Sequence, residues 1–281
     1  MTLKEMYEKG CEDLDEAGVE SPEVDAFYLM EYLTGLNRAR YLLEKDRQVT
    51  EETARRYSAL IERRAAREPY QYITGEADFL GYRIKVDENV LIPRFDTETV
   101  VMEAVGKIPE NTADFAALDL CTGSGCIAIA LKCLRPEIKV FACDISEKAL
   151  ALAEENAGIN GADIEFFKGD LFDALPEDLK FDLIISNPPY VTEEEYEGLS
   201  PEVKDHEPIL ALTAGRDGLD IYRRLIPEGA KRLKSGGSLV LETGWQQGES
   251  VTALLKENGF EDVYIKQDLS GLDRMAAGTM P

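Results

Sequence analysis

Three short apolar runs in the middle of this chain each lead to an aspartate, and helical patterns alternate with them. Phe115-Ala116-Ala117-Leu118-Asp119-Leu120 carries its acid near the end, and Ile138-Lys139-Val140-Phe141-Ala142-Cys143 runs into Asp144. Ile164-Glu165-Phe166-Phe167 is followed by Gly169-Asp170. Apolar runs of this length, bounded by turn residues, read as strands buried on both faces, which is the mark of a parallel sheet. The intervening patterns, Cys126 to Cys133 and Ser146 to Gly158 with Ser146 as N-cap, read as helices. Strand and helix in alternation predict an α/β fold with a Rossmann-like sheet. In such a sheet the strand ends form one edge, where ligands bind. The three carboxylates are therefore placed along that edge. Each alone reads more readily as an ordinary helix cap; their succession is what points to a ligand.

The loop after the first strand narrows the ligand. Cys121-Thr122-Gly123-Ser124-Gly125 joins strand to helix, and Gly123 and Gly125 let backbone approach a ligand without a β-carbon in the way. The Gly-Lys-Ser/Thr of a phosphate loop is missing, and Ala128 holds the place of the third dinucleotide glycine, where alanine is tolerated. Asp119 is a poor neighbour for a pyrophosphate and a good one for a cation. Asp144 lies nineteen residues past Gly125, near the ~20-residue spacing that brings an acid to ribose hydroxyls. Asp170 is placed to accept a hydrogen bond from an adenine amine. A nucleoside carrying positive charge satisfies all three, and S-adenosylmethionine, a sulfonium with an α-amino group, is such a molecule.

A fourth apolar run, Phe181-Asp182-Leu183-Ile184-Ile185-Ser186, ends in Asn187-Pro188-Pro189-Tyr190. Two prolines without N–H groups and with fixed φ stop the strand and stiffen its exit. Asn-Pro is also an ordinary turn initiator. A stiff exit nevertheless holds the Asn187 amide and the Pro188 carbonyl in fixed directions, able to accept both hydrogens of an NH2 group. Tyr190 is placed to supply an aromatic wall.

Asp119 to Gly125, Asp144, Asp170 and Asn187 to Tyr190 together resemble the class I S-adenosylmethionine-dependent methyltransferases. Further stretches resemble one family within them, the peptide chain release factor glutamine N5-methyltransferases: Gln71-Tyr72-Ile73-Thr74-Gly75, Leu91 to Glu98, Glu207-Pro208, Asp217-Gly218-Leu219 and Asp268 to Arg274. The resemblance covers the chain strongly from about residue 65, and before that in helical layout only. It implies methyl transfer to the glutamine of the Gly-Gly-Gln loop of class I release factors. Four positions depart from the family pattern. Phe95 replaces a proline, Cys121 a glycine, and His206 an aromatic; Leu171 stands where an aromatic often packs on adenine, and either it or Phe172 in its place is expected to make that contact. An N6-adenine or N2-guanine nucleic-acid methyltransferase shares Asn187 to Tyr190 and is the competing reading; a binding-only protein is disfavoured because both motifs are intact.

Net charge decides between the acceptors. The chain carries −24 over 281 residues, which opposes nonspecific attraction to nucleic acid. Glu193, Glu194, Glu195, Glu197, Glu202, Asp205 and Glu207 crowd the stretch after Tyr190 and read either as an acidic rim at the acceptor entrance or as a solvated loop kept soluble by its charge. With one histidine and five cysteines lacking paired spacing, neither a metal site nor a disulfide framework is expected, and a reducing cytoplasm is the simplest compartment. No signal peptide or membrane-length apolar run is visible, so no membrane partner is expected.

The organisation expected is three-part. Residues 1–70 read as about four helices, a substrate-docking module: Leu3, Met6, Tyr7, Cys11 and Leu14 recur at helical spacing, Ser21-Pro22 and Thr50 are N-caps, and Pro69 ends the last helix. Residues 71–94 read as a β-hairpin linker, with Tyr82, Ile84 and Val86 alternating after Gly81. Residues 95–281 form the catalytic domain. In it Gly236-Gly237 introduces a strand, Ser238 to Glu242, and Glu261–Ile265 with Met275–Thr279 make an antiparallel pair. Glu242 reads as a capping or ion-pair residue. No side chain is expected to act as general base.

Overall fold

The computed structural model describes residues 1–110, 112, 114–268 and 270–281; Leu269 of the C-terminal motif lies outside them. They form two compact units, Met1–Glu76 with Ser200–His206, and Ala77–Leu199 with Glu207–Pro281.

The first unit is helical. α1 (Leu3–Glu16) starts at a capping box, Thr2 accepting from the Glu5 N–H while the Glu5 carboxylate accepts from the Thr2 N–H. α2 (Pro22–Thr34) has proline in its first turn and ends at Gly35 in the left-handed region. α3 (Arg38–Glu44) and α4 (Glu51–Ala65) start at Asn37 and Thr50, each side chain accepting from a backbone N–H in the first turn. Leu3, Met6, Leu14, Leu29, Met30, Tyr57 and Ile61 form the core. α4 stops at Ala65, short of Pro69, because Arg67 takes a left-handed φ of 70°. Pro69 instead precedes α5 (Tyr70–Thr74), so a helical turn opens the stretch expected to be a hairpin.

Ser200–His206 joins this unit through charge. Arg64 is buried, its Nε donating to Asp25 at 2.7 Å and its Nη2 to Glu202 at 2.9 Å. Arg67 donates to the other Glu202 oxygen at 2.7 Å. Burial works against the Glu202 charge, yet the two arginines hold its carboxyl down at about 2.

The second unit carries a hairpin and a sheet. β1 (Glu76–Phe79) and β2 (Tyr82–Lys85) are joined by Leu80 and Gly81, at φ 51° and 79°. Two residues with positive φ are what a type I′ hairpin turn requires. Asn156 then binds the hairpin like a neighbouring strand, accepting from the Lys85 N–H at 2.7 Å and donating to the Lys85 carbonyl at 3.0 Å.

α6 (Phe95–Gly106) leads into the sheet elements: β3 (Ala116–Leu120), α7 (Cys126–Leu134), β4 (Lys139–Asp144), α8 (Glu147–Asn160), β5 (Ile164–Lys168), β6 (Phe181–Ser186), β7 (Leu233–Glu242), β8 (Glu261–Gln267) and β9 (Asp273–Thr279). Among the described residues the sheet has seven strands in the order β5-β4-β3-β6-β7-β9-β8. β5 to β7 are parallel, and β9 pairs antiparallel with both β7 and β8. The mixed α/β fold is thus the one the apolar runs predict. β7 starts earlier than the expected Ser238, at Leu233, because the strand passes through Gly236-Gly237 with a register shift against β6.

The chain runs outward from β3 to β4 and β5, then returns to lay β6 on the other side of β3. That reversal is the topological switch point, and it opens a crevice at the C-terminal ends of the strands. Phe181, Leu118, Leu239, Tyr222, Leu225 and Leu255 fill the core on one face of the sheet. Among the described residues no helix is long and apolar enough to cross a membrane.

Candidate active site

A cavity of about 330 Å³ occupies that crevice. Its wall takes residues from four successive strand ends: Cys121 to Ser124 after β3, Cys143 and Asp144 at β4, Gly169 to Leu171 after β5, and Asn187 and Pro189 after β6. These are nine of the residues expected at the site together with two neighbours, Cys143 and Gly169. Asp119, Gly125, Phe172, Pro188 and Tyr190 stand off the wall, and all but Pro188, which is simply buried, do so for a visible physical reason.

Asp119 is fully buried at the end of β3. Its Oδ2 accepts from the Thr122 hydroxyl at 2.6 Å and from the Ala128 N–H at 3.2 Å, so the carboxylate holds the glycine loop from below. Burial pushes this carboxyl up to about 7 against those hydrogen bonds. Its Oδ1 and the neighbouring Ser124 Oγ are buried without a partner among the described residues. Buried polar atoms of this kind are costly unless a ligand or water meets them. Gly125 is a packing glycine: a β-carbon there would lie 3.0 Å from that of Ala153 on α8. Cys121 explains the family's glycine, because its φ is 60°.

Asp144 lines the cavity with both oxygens already oriented. Oδ2 accepts from the Gly123 N–H at 2.9 Å and Oδ1 from the Ser146 N–H at 2.8 Å. Burial raises its pKa above the ordinary value while those N–H groups favour the anion. Each oxygen keeps acceptor capacity for a hydroxyl. Asp170 also borders the cavity, but one oxygen is held at 2.7 Å by Arg224, itself on the wall. Leu171, at φ 54°, faces the cavity, whereas Phe172 is buried in the core cluster that also holds Leu175 and Leu225. The aromatic contact expected of Phe172 is therefore corrected: its ring is core.

Asn187 sits at the other end of the cavity. Its Nδ2 donates to Thr97 Oγ1 at 3.2 Å, and Thr97 donates to Glu242 Oε2 at 2.6 Å. The Tyr190 hydroxyl donates to Glu242 Oε1 at 3.2 Å, so this ring braces the motif from behind and is no wall of the cavity. Backbone bonds complete the hold: the Tyr190 N–H donates to Leu212 O at 3.1 Å, and Gln247 Nε2 donates to the Tyr190 carbonyl at 2.8 Å. Glu242 is buried, which pushes its carboxyl up to about 7 against the hydrogen bonds it accepts.

The stretch Leu91 to Glu98 had no assigned role in the sequence, and here each charged or hydroxyl side chain ties down a different element. Arg94, on the cavity wall, donates to both oxygens of buried Glu207 at 2.7 Å. Asp96 pairs with Arg274 at 3.2 Å, which also holds Asp268 at 3.0 Å. Thr97 reaches Glu242, and Glu98 accepts from the Leu80 N–H at 2.9 Å. Only the motif's density of polar residues at the start of a helix could have signalled this. The acids after Tyr190 are also less free than expected. Glu195 closes a capping box with Thr192, Glu202 belongs to the helical unit, and Glu207 is buried against Arg94. None of Glu193 to Glu197 lines the cavity.

The PrmC N-terminal domain family matches residues 5–75, and the Methyltransferase small domain family matches residues 94–200. The chain is 41% identical over 265 residues to release factor glutamine methyltransferase of Geobacter sulfurreducens, covering 94% of this chain and 92% of that one. To the protein of that name from Deinococcus radiodurans it is 39% identical over 274 residues, 98% and 97% of the two chains. A solved methyltransferase from Pyrococcus furiosus matches with a TM-score of 0.53 at 18% identity, over 72% of this chain and 90% of that one, a likeness of fold alone. Identity of this size over nearly the whole length of both chains is carried by descent, and this chain belongs to the release factor glutamine methyltransferase family.

Proposed function

We propose that this chain methylates the side-chain amide nitrogen of the glutamine in the Gly-Gly-Gln motif of class I release factors, with S-adenosylmethionine as methyl donor. The observation that carries the reading is the orientation of Asn187. Its nitrogen is taken up by Thr97, so its oxygen is the end left to accept a hydrogen from an NH2 group at the cavity. The carbonyl of Pro188 is the second acceptor.

The residues present fit the donor. Two buried polar atoms beside the glycine loop, Asp119 Oδ1 and Ser124 Oγ, have hydrogen-bonding capacity unmet by the protein. An acceptor at Asp119 suits an ammonium group. Asp144 would take the ribose hydroxyls, Gly123 the close approach of the ligand to backbone, and Asp170 with Leu171 the adenine. When bound, the donor supplies an electrophilic methyl group on a sulfonium. The chain's own work is orientation. Asn187 and the Pro188 carbonyl would hold the acceptor NH2 in line and stabilise the positive charge that grows on its nitrogen. The surplus proton leaves that nitrogen after transfer, so no side-chain base is needed. We also assign docking of the protein substrate to the helical unit.

The test is methyl incorporation from labelled S-adenosylmethionine into an intact class I release factor, a DNA duplex and an RNA. Label confined to the Gly-Gly-Gln peptide supports the reading; label in either nucleic acid overturns it.

A further inference from the structure

The amide of Asn187 has two ends that differ as hydrogen-bonding groups. If its oxygen faces the cavity, it accepts from an incoming NH2. If its nitrogen faces the cavity, it presents donors to a donor, and the grip fails. Rotation of the amide by half a turn exchanges the two ends with little change of shape, so shape alone cannot choose between them. Something must choose by hydrogen-bond polarity.

Thr97 and Glu242 are both nearly fully buried, at 2% and 1% exposure. They lie in a row with Asn187: Glu242 Oε2 accepts from Thr97 Oγ1 at 2.6 Å, and Thr97 Oγ1 accepts from Asn187 Nδ2 at 3.2 Å. An ionised carboxylate only accepts. Thr97 has one O–H, and Glu242 takes it. The Thr97 oxygen is then left with lone pairs alone, and only the NH2 end of Asn187 can bind it. Tyr190 spends its own O–H on the second Glu242 oxygen at 3.2 Å, so both ends of the carboxylate are occupied by donors.

We infer that Glu242 and Thr97 are positioning residues that set the polarity of Asn187, fixing its carbonyl oxygen toward the acceptor nitrogen. The relay deepens the methyl-transfer reading and rests on it. It makes the charge of one buried acid, held behind Thr97 on the cavity wall, a determinant of whether an NH2 group is gripped. The charged and titratable groups that face Glu242 are Arg274, Asp96, Tyr190, Tyr222 and Cys126. Its carboxyl is raised by burial to about 7. Below that pH it carries a proton, and its new O–H must be donated to one of the two hydroxyls. The polarity of the row is then no longer forced.

Glu242→Gln, Thr97→Val, Thr97→Ser and the double variant Thr97→Val/Glu242→Gln are compared with the parent in the full chain. Methyl transfer to an intact release factor gives kcat and KM, and calorimetry with S-adenosylhomocysteine reports the folded cofactor site. Glu242→Gln and Thr97→Val should each lower kcat about tenfold or more, because a misoriented gripping group costs on that scale. Cofactor-product affinity should stay within about twofold. The double variant should lose no more than either single one, since both break the same row. Thr97→Ser, which keeps the hydroxyl, should recover most of what Thr97→Val loses. In the parent, kcat should fall as pH drops through about 7, and Glu242→Gln should lack that limb. Unchanged kcat in the single variants, losses that multiply in the double variant, or Thr97→Ser as slow as Thr97→Val would overturn the relay while leaving the methyl-transfer reading standing. A parent that labels no amide overturns the reading and the relay with it.

Discussion

Cys121 and Asn187 show two ways in which one residue's local state sets the site. Cys121 holds a left-handed φ of 60°, a conformation that costs a residue with a β-carbon roughly 1–2 kcal/mol. Its thiol packs against the core beneath the loop, which offsets part of that cost. Asn187 is conformationally ordinary but directional, and its contribution is made in the transition state. Asn187→Ala should therefore leave S-adenosylhomocysteine affinity largely intact and lower kcat on the order of a hundredfold, about 3 kcal/mol for one lost transition-state hydrogen bond. Single-turnover kinetics beside calorimetry check it; a rate within about threefold of the parent would remove Asn187 from the role. The sequence made both residues visible as candidates, since their neighbours are glycines and prolines with strong backbone meanings. It did not give direction. Asp119 and Phe172 were equally visible, yet one lies under the loop and the other in the core. Which way a side chain points at a strand end is decided by packing partners distant in sequence, and Phe172 belongs to a core cluster that reaches as far along the chain as Ala276.

At the scale of elements, the parallel strands were legible because their apolar runs are short and sharply bounded. The polar ties between elements were not, because they join residues 50 to 150 positions apart: Arg94 to Glu207, Thr97 to Glu242, Tyr190 to Glu242. No local pattern announces such a partner. The turn before the helix Asp220–Arg232 is an example with a sharp consequence. Gly218 has φ 70°, and a β-carbon on it would lie 2.3 Å from both Gln247 Nε2 and the Tyr190 carbonyl oxygen. Those two atoms are bonded to each other and hold the exit of β6 in place. Gly218→Ala must push them apart. The expected result is a loss of about 1–3 kcal/mol in stability, from strain at positive φ and from the displaced contact. Because the displaced atom belongs to Tyr190, kcat should also fall about tenfold, with cofactor-product affinity within about threefold. Denaturant melts and kinetics on the same preparation test this. A variant that is destabilised but fully active would mean that the Gln247 contact supports folding only.

At the scale of the whole molecule, the site's buried acids should be felt in stability. Asp119 and Glu242 are both pushed up to about 7 by burial. The native state then holds these protons more tightly than the unfolded chain does. Their protonated forms contribute stability that is full below the ordinary carboxylate range and is lost as pH rises through about 7. For Glu242 alone the loss is at most on the order of 3 kcal/mol. Thermal melts of Glu242→Gln and parent should diverge in the variant's favour between about pH 5 and pH 8; a constant difference would show that Glu242 titrates normally. The docking role proposed for the helical unit needs a test of its own. Simply deleting it is a poor test, because Glu202 would lose Arg64 and Arg67, both within that unit. A surface test is cleaner. Val24, Tyr28 and Tyr32 recur at i, i+4 and i+8 on α2 and are 44%, 45% and 52% exposed. Exposed tyrosines on one helix face are the kind of group that anchors a protein partner. Tyr28 is braced by stacking on Tyr70, with ring centroids 5.2 Å apart, so it is best left alone. Val24→Ser/Tyr32→Ser touches the ridge and not the brace. If the helical unit docks the release factor here, KM for the intact protein should rise about tenfold, the scale of one or two lost anchors. The kcat value and the KM for a short Gly-Gly-Gln peptide should not move, since a peptide reaches only the cavity. Equal effects on protein and peptide would place the change at the cavity, and no effect on either would take docking away from this face.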